Sequence, residues 1–167
     1  MGSSEDTHPQ ASVGMSSDKE PLYSSAVITL GSCFLAGLAA TLLFPPPRMP
    51  APKSQVFGAA LVGFGIAVIV WAVRTMERGG TSPDAALHPT ALVTRGPFRF
   101  SRNPIYLGFL LIYAGGGLLL NSLWIVLLVA GVVAGLTQAI IVRDEHLLEN
   151  RFGDEYRTYR ARVRRWL

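Results

Sequence analysis

Apolar and polar positions fall in long blocks along the chain, not at the two-residue period of a strand. Tyr23 to Phe44 carries no charged residue and is long enough to cross a bilayer as a helix. Pro45-Pro46-Pro47 ends that block, and a short loop from Arg48 to Lys53 leads to a second, Ser54 to Val73, closed by Arg74 and Arg78. Gly58, Gly63 and Gly65 on the second block offer close helix contacts. The third block, Ile105 to Val142, is too long for one span and is broken at Asn121-Ser122. It therefore predicts a helical hairpin with arms at 105–120 and 123–142. Gly115-Gly116-Gly117 either bends the first arm or admits a neighbouring helix. The expected fold is all-α and integral to a membrane, with four transmembrane helices at about 23–44, 54–73, 105–120 and 123–142.

The polar remainder divides into three. Residues 1–21 are rich in Ser, Gly, Pro and acidic side chains and read as a disordered tail ahead of a single domain, 22–167. They lack the basic start of a signal peptide, so the first apolar block is expected to be retained. Glu77 to Asn103 is the longest connection, and loops of that length are usually functional or disordered. From 143 to 166 the pattern becomes helical again. Leu148, Phe152, Tyr156, Tyr159, Val163 and Trp166 recur at spacings of four and three, with Arg151, Arg157, Arg160, Arg162, Arg164 and Arg165 between them. This predicts an amphipathic helix, lying in the membrane interface or docked on its own protein with a solvated basic face.

Composition agrees with the membrane reading: 50% of residues are hydrophobic and only 16% charged. The net charge of +4 comes from arginines gathered in a few places, which favours topology and headgroup contact over nucleic acid. Four spans put Lys19, the arginines of the central loop and those of the tail on one side, against Arg48 and Lys53 on the other. The positive-inside rule then makes both termini cytoplasmic. Cys33 is the only cysteine, which excludes an internal disulfide, and three scattered histidines make a poor metal site.

Two polar stretches carry candidate chemistry, and the topology brings both to the same face. Arg95 to Gly108 reads R-G-P-F-R-F-S-R-N-P-I-Y-L-G. The pre-proline restriction keeps Asn103 out of the helical region, so a helix starts at Pro104 with Asn103 at its N-cap. Arg102 and Tyr106 then flank exposed N–H groups at the positive helix end, a place suited to a carboxylate and a flat ring. The second stretch, Arg143-Asp144-Glu145-His146, follows the last apolar block. Carboxylates so near a membrane need solvent or partners, and they can recognise a cationic or hydroxyl-bearing ligand. His146 adds a possible proton acceptor. Anchoring by the first stretch, and a polar helix end with Arg143 snorkelling in the second, explain the same residues without a ligand.

Three blocks in order, L-V-T-R-G-P-F-R-F-S-R-N-P-I-Y-L-G, D-E-H-L-L and F-G-D-E-Y-R-T-Y-R-A-R-V-R-R-W, resemble the isoprenylcysteine carboxyl methyltransferase family, with phospholipid N-methyltransferases as more distant relatives. The resemblance covers the second half of the chain. It implies an integral-membrane enzyme that uses S-adenosylmethionine to methylate a small lipophilic or lipid acceptor, with no metal and no nucleic acid. Carried over by position, it implies that Leu92, Val93, Phe98, Arg102, Asn103, Pro104, Tyr106, Asp144 and Glu145 form the cofactor pocket. Glu145 and Arg102 would be catalytic, and Arg143 and His146 would contact substrate. Asn103 stands where the family has histidine, and Phe98 where tyrosine is usual. The substrate-side arginine of eukaryotic members falls on Ile140 or Ile141, which argues against a prenylcysteine carboxylate more than against the cofactor. The other expectations are a noncatalytic membrane scaffold, or a lipid-binding protein acting through its basic tail.

Overall fold

The computed structural model describes residues 22–44, 53–81 and 90–167. The expected tail at 1–21, the proline stop with Arg48, and His88 lie outside the described residues. Helices α1 (Leu22–Leu43) and α2 (Lys53–Arg78) come first, followed by a short 3-10 turn at Gly96–Arg99. Then come α3 (Pro104–Leu119), α4 (Leu123–Leu127), α5 (Val129–Leu136), a π turn (Thr137–Ile141), α6 (Val142–Phe152) and α7 (Asp154–Arg162). No strand occurs among the described residues.

The second helix packs along α3 through glycines. A Cβ added to Gly58 would stand 2.8 Å from the Gly115 carbonyl oxygen, and one on Gly65 would stand 2.7 Å from that of Gly108. Only glycine lets the two backbones approach so closely. Gly63 does not share the role, because it faces open space. The triple glycine admits neighbours and does not break α3. Gly115 meets α2, while Gly117 meets Ile125 of α4.

At the hairpin Asn121 takes a positive φ of 52°, and Ser122 caps α4 by accepting from the Ile125 N–H. The Ser122 and Thr41 hydroxyls are hydrogen bonded, and the Trp124 indole donates to the Phe44 carbonyl at 2.7 Å, so the hairpin tip is tied to α1. The core between α1, α3 and α5 holds Leu110, Tyr113, Ile125, Val132, Leu136, Ile140 and Ile141. Outward faces are apolar too: Ile28, Leu35, Leu42, Phe57, Phe64 and Trp71 are all exposed. Such a belt is at home in hydrocarbon.

Two features depart from expectation, and a third favours one of two alternatives left open by the sequence. Among the described residues only α2 is long and apolar enough to cross a membrane by itself; Ile28–Leu43, Pro104–Leu119 and Leu123–Leu136 are shorter apolar stretches. The tail helix is not one amphipathic rod. It divides at Gly153, whose φ of 52° favours glycine, and it stops at Arg162, so Val163 and Trp166 leave the predicted stripe. The stripe also faces inward, with Tyr156 1% and Tyr159 8% exposed, which makes it a docking face on the protein and not an insertion face for lipid.

Candidate active site

Helix α3 begins at Pro104, as the proline rules require, and Asn103 sits at the N-cap position without capping through its side chain. Its amide instead donates to the Arg165 carbonyl at 3.1 Å, while its backbone N–H donates to the Ser101 hydroxyl. This turns Arg102 inward, so that its side chain is only 10% exposed. One helical turn on, Tyr106 looks along the same side of α3.

The other half of the site is aimed by the π turn. In an unbroken α-helix Leu136, Ile140 and Asp144 would share one face, at successive spacings of four. The π turn absorbs an extra residue, so Ile140 and Ile141 are both fully buried and the inward position passes to Glu145, 7% exposed. Arg102 Nη1 lies 3.1 Å from Glu145 Oε1. Arg165 meets the same carboxylate with a two-pronged pair, Nε to Oε1 and Nη2 to Oε2, each 2.8 Å. The Tyr106 hydroxyl donates to Asp144 Oδ2 at 3.2 Å. Arg102 also donates to the Tyr156 hydroxyl at 3.4 Å, and Tyr159 donates to the Phe98 carbonyl at 2.8 Å.

The adjacent carboxyls ionise in opposite senses. Burial raises Asp144 from its ordinary 3.8 to about 6, against the opposing pull of the Tyr106 hydrogen bond and the Arg143 charge. Burial also raises Glu145, but the Arg165 hydrogen bond and the charges of Arg102 and Arg165 outweigh it and hold the group below its ordinary value. At neutral pH Glu145 is firmly an anion, whereas Asp144 lies within reach of its proton.

Arg102, Tyr106, Asp144 and Glu145 thus meet at one end of the apolar bundle. Pro104 starts the helix that carries Tyr106, and Arg102 lies two residues before it. Leu92 and Val93 follow the end of α2, with Val93 against Gly79 and Thr90 bonded to the Gly80 carbonyl. Phe98 is half-buried and takes part through its carbonyl. Arg143 and His146 are exposed, and Arg143 acts on Asp144 through its charge. Ser101, Tyr156 and Arg165 join it, although the sequence marked Tyr156 and Arg165 only as parts of the tail helix and Ser101 not at all. A carboxylate at the end of an apolar run demands a cation, but the tail offers six arginines and their spacing does not choose among them.

Two buried atoms of the cluster, Arg102 Nε and Asp144 Oδ1, have no hydrogen-bond partner. Buried polar atoms are rarely left so, and here a donor and an acceptor are both orphaned. They match a ligand that carries its own acceptor and donor groups.

A family model described as phospholipid methyltransferase matches residues 54–155, a segment that contains Arg102, Tyr106, Asp144 and Glu145 but not Arg165. An uncharacterized protein of Haemophilus influenzae is 46% identical over 65 residues, which make up 38% of this chain and the whole of that protein. No solved structure matches.

Proposed function

The chain belongs to the phospholipid methyltransferase family, and from that premise we propose a membrane-embedded enzyme that moves the methyl group of S-adenosylmethionine to a small lipophilic or lipid acceptor. The observation that carries this reading is the meeting of Arg102 and Tyr106 with Asp144 and Glu145 at the polar end of an apolar bundle. The cofactor, when bound, supplies an electrophilic methyl on a sulfonium. Glu145 would hold its cationic end, Arg102 its carboxylate, and Asp144 with Tyr106 its hydroxyls. The apolar surface beside them admits an oily acceptor from the bilayer, and the protein's task is alignment and exclusion of water.

Proton handling falls to Asp144 in this reading. Glu145 is held ionised by two guanidiniums, which makes it a weak base, and His146 is exposed. Asp144, raised to about 6, is matched to proton transfer near neutrality. An amine or thiol acceptor would lose its proton to Asp144, whereas a carboxylate acceptor needs no base.

The proposed topology keeps four spans: α1, α2, α3 and the rod from α4 to the π turn. Both termini and the site are cytoplasmic, as the arginine distribution favours. Calorimetric titration of the purified protein with S-adenosylhomocysteine tests the enzyme reading. Binding is expected in the wild type and lost in Tyr106→Ala and Glu145→Ala. A folded wild-type protein that binds none would overturn it.

A further inference from the structure

The last five residues lie across the candidate site. After Arg162 the chain leaves the helix, Val163 is extended (φ −118°, ψ 129°), and 163–167 returns over the entrance of α3 as a strap. Its backbone is clasped by three donors of that entrance. The Arg102 N–H reaches the Arg164 carbonyl at 3.0 Å, and Ser101 Oγ and Asn103 Nδ2 reach the Arg165 carbonyl at 3.2 and 3.1 Å. Trp166 packs against the core cluster. Between these fastenings Arg165 sets its guanidinium on Glu145.

This is the pairing Glu145 would offer to the cationic end of a ligand. A carboxylate has about four lone-pair positions. Arg165 already donates two hydrogen bonds to this one, and Arg102 Nη1 stands 3.1 Å away as an ion pair. Yet the strap satisfies the site incompletely, since Arg102 Nε and Asp144 Oδ1 stay buried without partners beneath it. The strap fills the carboxylate but not the rest of the pocket's polar demand.

We propose that residues 163–167 are a self-inhibiting gate, in which Arg165 occupies Glu145 in the ligand-free protein and must withdraw before the cationic end of the methyl donor can bind there. The inference rests on the methyltransferase reading of the same cluster. The ligand competes with a tethered side chain, so its apparent affinity is the intrinsic one multiplied by the fraction of molecules in which the strap stands open.

The test uses the full chain in nanodiscs with Trp71→Phe and Trp124→Phe, which leaves Trp166 as the only tryptophan. S-adenosylhomocysteine, which retains the amine, is the probe. Binding is followed by calorimetry and strap position by acrylamide quenching of Trp166. In the otherwise wild-type chain, saturation with the probe is expected to raise quenching about twofold or more. Arg165→Ala is expected to raise quenching without ligand and to tighten binding by about tenfold. Glu145→Gln should also free Trp166 but should weaken binding, because it removes the seat itself.

Binding that leaves Trp166 as protected as before overturns the gate while leaving the methyltransferase reading intact. So does an Arg165→Ala protein that binds equally or more weakly, which would make Arg165 part of the ligand's own seat. If Arg165→Ala does not fold, the quenching titration of the Trp166-only chain decides alone. No binding by any folded protein overturns the enzyme reading and the gate together.

Discussion

The two ends of α3 are held in different ways. Along its shaft it meets α2 by shape, with glycine backbones in close approach. At its entrance it meets α6 and the strap by charge, with two arginines on one glutamate and two polar atoms left over. The first contact is complete in itself and specifies a fold. The second has unmet hydrogen-bonding demand, the mark of a surface shaped for something more than its own chain.

Mutations can break that contrast, and the largest effect is expected at the charged end. Glu145→Ala strands two guanidiniums, one of them buried, and should cost about 3–5 kcal/mol of stability as well as probe binding. Thermal unfolding in a mild detergent reads the first and calorimetry the second. Gly65→Leu drives a side chain into the Gly108 carbonyl 2.7 Å away and should cost about 1–3 kcal/mol or more. Unlike Glu145→Ala, it should leave the affinity of the remaining folded protein unchanged. If Gly65→Leu instead abolished binding in folded protein, the two ends would be coupled and the contrast would fail.

Acidity sharpens the comparison within the site. Asp144 has a folded value of about 6 against an ordinary 3.8, so its stabilising contribution is complete below about 4 and disappears as pH rises through 6. Glu145 runs the other way: its contribution is present above its ordinary 4.5 and lost as pH falls through its depressed value. Asp144→Asn should therefore flatten unfolding stability between about pH 4 and 6, and leave the loss at lower pH in place. Tyr159→Phe, which deletes the 2.8 Å bond to the Phe98 carbonyl, should cost about 1 kcal/mol. Smallest of all is Arg157→Ala. Its pairs with Glu149 and Asp154 are exposed, and no change in melting temperature is expected.

What could be read from the sequence follows the range of the forces involved. The start of α3 at Pro104 and the break at Asn121-Ser122 are local steric effects, and they stand where the residues put them. Arg102, Tyr106, Asp144 and Glu145 were legible as two polar stretches flanking one apolar hairpin. Arg165 was not, since its selection depends on a chain reversal at Val163 that leaves no periodic trace. The tail's aromatic stripe was legible but its partner was not, because hydrophobic spacing marks a buried face without saying what covers it. The π turn had no signature at all.

That turn leaves the helix between Thr137 and Ile141 with one residue more than its winding needs. Length is usually the least forgiving property of a helix, since losing a residue swings everything downstream by about 100°. Here the surplus is already taken up, so excising Gln138 should let the segment relax to ordinary winding while Glu145 keeps its seat opposite Arg102. Adding a residue has no such slack to draw on. This stretch should tolerate shortening and resist lengthening, an asymmetry that paired deletion and insertion variants would expose directly.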